Sequence, residues 1–165
     1  MIADSKYEVR GLVLGPLTGF AVGAAGGFLM IGALWLLHPL SGLEPGKVLA
    51  DLAGLVLGSR HRPGTSFIVG LAIVSLTGAV CGTLYAMSQQ LAPSLVLLAT
   101  GVSYGVLLWA VGGNIVVPLM AAELSVLTRT WVWLLACLVY GVWVSGVAAL
   151  SAKKRSRNLE IVQPD

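Results

Sequence analysis

The sequence predicts an all-α integral membrane protein: four transmembrane helices packed through glycine and small-residue ridges, with a short interfacial helix in the first loop. Composition, charge spacing and a run of glycines point to it. Hydrophobic residues make up 57% of the 165 residues and charged ones 10%, with a mean hydropathy of +0.91, far from an average soluble domain. Charges are absent from 33 residues between Arg10 and Glu44, 60 between Arg62 and Glu123, and 23 between Arg129 and Lys153. A helix needs about 20 apolar residues to cross a bilayer. Gly11, Gly15, Gly19, Gly23 and Gly27 then recur every four residues. In water each interior glycine costs a helix roughly 1 kcal/mol relative to alanine. In a bilayer, small residues four apart let two backbones approach closely, which offsets that cost.

The first charge-free gap holds one span, about 12–38, which the His38-Pro39 step closes. The apolar stretch is longer than the roughly 7–15 residues of a signal peptide, so this helix is expected to be retained. In the loop that follows, Lys47 to Gly58 places Val48, Leu49, Leu52, Leu55 and Val56 on one helical face, with Lys47, Asp51 and Gly54 largely opposite. That segment, 47–58, reads as an amphipathic helix at the membrane surface. The long middle gap is broken by Ser88-Gln89-Gln90-Leu91-Ala92-Pro93-Ser94, giving spans near 65–87 and 95–121. The last span covers about 130–152, so residues 1–152 form one membrane domain and 153–165 a basic tail. Continuous apolar runs exclude a β-barrel, whose strands alternate.

The small-residue pattern returns as Gly70, Val74, Gly78, Gly82 and Ala86 in the second span, and as Gly101, Gly105, Trp109 and Gly113 in the third. Gly141, Ser145 and Ala149 carry it in the fourth. Gly11 to Gly27, Gly78, Gly82, Gly101 and Gly105 are thus the candidate contact residues. Part of the first ridge is expected to face another protein.

Basic residues orient the chain. Lys6, Arg10, Lys153, Lys154, Arg155 and Arg157 share one side, against Lys47, Arg60, Arg62 and Arg129 on the other. Both termini are therefore expected in the cytoplasm. The cluster Lys153, Lys154, Arg155 and Arg157 anchors that topology and is also a candidate contact for lipid headgroups or an acidic partner. A net charge of +3 and a tail without interleaved aromatic residues exclude nucleic-acid binding. Beyond the cluster, Leu159, Ile161 and Val162 are expected to dock as an extended segment.

Chemistry-bearing residues are sparse. No Asp, Glu, Lys or Arg lies inside a span, which argues against a proton-coupled transporter. Asn114, four residues before Pro118, is the most polar candidate in a span and is expected to hydrogen-bond between helices. His38 and His61 stand at the same membrane face, where an interfacial place outweighs ligation of haem or pigment. Cys81 and Cys137 lie within spans as small apolar residues. Trp35, Trp131 and Trp133 sit at span ends as interfacial anchors, whereas Trp109 and Trp143 are deeper and are expected to fill space.

A glycine-rich first helix, an amphipathic loop, Gly82-Thr83-Leu84-Tyr85, and Gly101-Val102-Ser103-Tyr104-Gly105-Val106-Leu107-Leu108-Trp109 leading to Pro118 together resemble small four-helix bacterial inner-membrane proteins of unknown function. The resemblance covers about residues 11–121. It implies a bacterial inner-membrane protein of this topology and carries over no catalytic or binding residue.

The expected function is that of an accessory, non-catalytic subunit in a larger membrane complex, of respiratory or photosynthetic electron-transfer type, partnered by other membrane subunits and phospholipids. No cofactor of its own is expected, only contact with lipid, quinone or pigment held by partners. The alternative is a passive channel or small-solute carrier acting as a homo-oligomer, with a path near Asn114. No catalytic or metal constellation points to an enzyme.

Overall fold

The computed structural model describes residues 15–41, 44–57, 63–88, 94–120 and 130–162, and every element in them is helical. Helix α1 is Pro16–Ser41, α2 is Pro45–Leu57 and α3 is Pro63–Ser88. Each opens on proline, whose fixed φ suits the first helical position and whose missing N–H would have had no helical partner there. Helix α4, Ser94–Leu107, runs directly into a π-helical stretch, Leu108–Val116, and a last turn, α5, Val117–Met120. Helix α6 is Trp131–Val162.

Four of these helices are long and apolar enough to cross a membrane, over Pro16–Leu40, Gly64–Ser88, Val96–Leu119 and Trp131–Ser151. Their outward faces are apolar too: Leu17, Phe28, Leu36, Leu76, Leu107, Ile115, Leu119 and Leu150 are all exposed. A helix apolar around its whole circumference needs an apolar environment on every side.

Helix α1 lies beside α3 and α6, and α4 lies beside α6. Tyrosine hydrogen bonds from α3 to α4 close the ring. One core cluster joins Tyr85 and Ala86 of α3 to Leu97 of α4 and to Tyr140, Val144 and Ala148 of α6. The other joins Ile31 and Leu34 of α1 to Leu49 of α2 and to Val132 and Ala136 of α6. The middle of the bundle is filled by side chains.

Sequence expectations for the ends of two helices change here. Pro39 does not end α1, which continues to Ser41. At this position proline removes a single hydrogen bond, to the carbonyl of the exposed Trp35, and too little helix remains for the loss to propagate. The basic tail is not extended as far as Val162 but continues α6 as one unbroken helix.

Helix α2 buries Pro45, Val48, Leu49 and Ala53, while Leu55 and Val56 face outward. The buried stripe is therefore shifted from the face that periodicity suggests. Leu49, fully buried, sits with its backbone against Gly70, where any Cβ would run into the Leu49 carbonyl. Gly70 lies seven residues past Pro63, about 10 Å along the axis of α3. Helix α2 is thus seated on the flank of α3. Gly70→Ala should unseat α2 while leaving the four long helices packed, read as faster amide exchange confined to residues 45–57. Unchanged exchange there would show that the contact yields without cost.

Candidate functional site: the aromatic interior and the third span

The glycine ridges bring backbones together inside the bundle. A Cβ at Gly19 would lie 2.6 Å from that of Ala86 and 2.9 Å from the Gly82 carbonyl. One at Gly23 would overlap the Gly78 carbonyl, and one at Gly27 would lie 2.9 Å from the Val74 carbonyl. Gly78 and Gly82 return the contact, against the carbonyls of Gly23 and Gly19. Three of the five ridge glycines are therefore used on α3. Gly15 has open space around it, and Gly11 lies outside the described residues. A second seam holds α4 to α6: Gly101 faces Ser145, Gly105 faces the Cys137 carbonyl, and Gly141 faces the Gly101 carbonyl.

With backbones this close, aromatic donors reach carbonyls on neighbouring helices. Tyr85 donates to the Leu97 carbonyl at 2.9 Å and shares a 3.2 Å contact with Thr100 Oγ1. Tyr104 donates to the Cys81 carbonyl at 2.8 Å, and Tyr140 to the Gly78 carbonyl at 2.6 Å. Trp143 Nε1 donates to the Val22 carbonyl at 3.1 Å. The Tyr85 and Tyr104 rings meet at 5.2 Å with a 54° tilt, the inclined arrangement that aromatic quadrupoles favour. These bonds link α3 to α4, α6 to α3 and α6 to α1. Trp143 is thus more than a space-filler. Its spacing from Tyr140, three residues along one helix face and opposite glycine-bearing helices, was the available signal.

The hydroxyls of Thr83, Thr100, Ser103, Ser145 and Ser151 return to carbonyls three or four residues back in their own helices. Asn114 also turns back on its own helix, but by five residues rather than three or four. Its Nδ2 donates to the Trp109 carbonyl at 3.4 Å, and its side chain is exposed. The interhelical bond expected of it is replaced by one within its own helix.

The π-helical stretch around Asn114 has a physical cause. In an α-helix the Pro118 ring would clash with the carbonyl of Asn114 and remove one ladder bond. Widening the preceding turns avoids that clash, and the Val117 N–H closes the stretch on the Gly112 carbonyl, five residues back. The wider turn also realigns the ridge. Four-residue steps advance about 40° per step in an α-helix, whereas an i→i+5 turn holds more than four residues and rotates them back. Gly113 accordingly stays buried, in line with the buried Gly101 and Gly105. Within this stretch Trp109 Nε1 is buried and, among the described residues, has no hydrogen-bond partner.

Cys81 and Cys137 are free thiols. Among the described residues no three His, Cys, Asp or Glu side chains converge as a metal site. His38 is half-buried near the end of α1, and His61 lies outside the described residues. Lys153, Lys154, Arg155 and Arg157 all fall within α6. On the outer face of the α1–α3 seam, Phe20, Phe28, Ile68, Leu71 and Leu76 line an apolar groove of about 390 Å³ that opens sideways.

Compared with protein-family models, curated proteins and solved structures, the chain matches nothing. Its functional reading rests on this geometry.

Proposed function

We propose that the chain is a multi-pass protein of the bacterial inner membrane, with both termini in the cytoplasm, serving as a non-catalytic accessory subunit of a larger membrane assembly. One observation carries the reading. The hydroxyls of Tyr85, Tyr104 and Tyr140 and the indole N–H of the more exposed Trp143 are engaged on backbone carbonyls of neighbouring helices, while the outward faces remain apolar. These polar groups are spent on holding helices together, and the surface suits lipid and other membrane helices.

Extraction of native membranes in mild detergent, native-gel separation and mass spectrometry test this. Co-migration with other subunits at fixed stoichiometry is expected. Haem or pigment absorption in the same band would identify the electron-transfer type of assembly. Migration as a particle containing this chain alone would refute the accessory role.

Asn114 favours the second reading, a passive channel or small-solute carrier formed by several copies. Its exposed carboxamide, bonded only at 3.4 Å within its own helix, would line a path between copies. Solute flux into proteoliposomes that disappears in Asn114→Leu would establish that reading in place of the first.

A further inference from the structure

We propose that the start of the C-terminal extension of α6 is a binding collar for anionic phospholipid headgroups, formed by Lys153, Lys154, Arg155 and Arg157. The inference rests on the reading of the four long helices as membrane spans, and it adds the ligand class. Its basis is the unbroken continuation of the fourth candidate span, Trp131–Ser151, as a helix to Val162. A helix rises about 1.5 Å per residue, so positions 153–157 lie roughly 3–9 Å beyond Ser151 along the axis. The polar layer on each side of a bilayer is about 5–7 Å thick, taking a hydrocarbon core of about 30 Å within a total of about 40–45 Å. Helix positions 153–155 therefore fall within the headgroup layer and position 157 just beyond its outer edge.

Their distribution around the axis selects the ligand. At about 100° per residue, positions 153 and 157 fall within about 40° of each other, 154 lies about 100° on and 155 about 200° on. Four cations therefore cover more than half of the circumference within little more than one turn. An acidic protein surface approaches a helix from one side and is matched by a stripe. A headgroup layer surrounds the helix and is matched by a collar. Basic residues at that depth are attracted to an anionic leaflet, and the attraction accumulates with each one. The four cations of the opposite side are instead scattered over separate segments, at Lys47, Arg60, Arg62 and Arg129.

The test uses the full chain in phosphatidylcholine vesicles carrying trace spin-labelled phosphatidylglycerol or spin-labelled phosphatidylcholine. A motionally restricted component from the neutral probe reports inserted protein, so its absence would refute the membrane reading itself. With the protein inserted, the anionic probe should associate about threefold more strongly than the neutral one, with the preference collapsing in molar salt as screening shortens to about 3 Å. The variant Lys153→Gln/Lys154→Gln/Arg155→Gln/Arg157→Gln should bring the two probes to parity. Lys47→Gln/Arg60→Gln/Arg62→Gln/Arg129→Gln removes as many cations from the other side and should retain the preference. Equal association of both probes with the unmodified chain, a preference that survives molar salt, or equal loss in the two variants would each overturn the collar.

Discussion

Replacing Gly23 with alanine should destabilise the bundle by about 2 kcal/mol, as overpacking does, and replacing it with leucine should prevent α1 from packing on α3. The same alanine substitution at Gly32 should be neutral or stabilising, by up to about 1 kcal/mol. Both glycines are interior to α1, so both substitutions gain the same helix propensity. They differ in what a Cβ meets. At Gly23 it overlaps the Gly78 carbonyl and comes within 2.8 Å of the Gly82 Cα, whereas at Gly32 nothing lies within 4 Å. Backbone on the facing helix cannot swing aside as a side chain can, so the helices must separate. Unfolding midpoints in mixed detergent micelles should move in opposite directions for the two variants, and parallel shifts would show that the seam is loose. Because this ridge is internal, leucine at Gly19 and Gly23 would remove the chain from an assembly by breaking the chain's own fold. A docking surface must be sought by substitutions elsewhere.

Tyr140 should give the next largest effect, separable into ring and hydroxyl. Its side chain is 2% exposed, donates to the Gly78 carbonyl at 2.6 Å, and has ring carbons 2.8 Å from where a Gly26 Cβ would stand. The residue thus joins α6 to α3 through its hydroxyl and to α1 through its ring. Tyr140→Phe removes only the hydrogen bond, an expected cost of about 0.6–1 kcal/mol for an interhelical bond between spans. Tyr140→Ala also opens a cavity where three helices meet, an expected cost of about 3–5 kcal/mol. The same unfolding midpoints read both. Equal losses for Phe and Ala would place the whole contribution in the hydroxyl, and a negligible loss for Ala would mean that the core refills.

The long helices were legible because continuous apolar runs and charge gaps follow from the cost of putting charge in hydrocarbon, and such a pattern is local to each segment. The glycine ridges were legible as contact surfaces for a similar reason: their spacing is a property of one helix. What each ridge touches is not. The partners of Gly19, Gly23 and Gly27 lie 63, 55 and 47 residues further along the chain, at Gly82, Gly78 and Val74. The polar interior was half legible. The acceptors of Tyr85, Tyr104 and Tyr140 are main-chain carbonyls, which carry no residue-type signal. Asn114 misled for a related reason. A lone amide in a span reads as glue between helices, but Pro118 widens the helix beneath it and brings the Trp109 carbonyl within its own reach.

By itself the sequence determined that this chain makes four long apolar helices and which of their faces can approach closely, but not where the first and last of them end. Hydropathy, proline position and residue size act within a turn or two and need no knowledge of neighbours. Only the tertiary structure decided that three glycines of the first ridge are consumed on α3, that α2 seats against Gly70, and that four aromatic donors tie the ring together. Those outcomes depend on which backbone carbonyl or glycine arrives opposite a given side chain, and that is set by the packing of segments far apart in the chain.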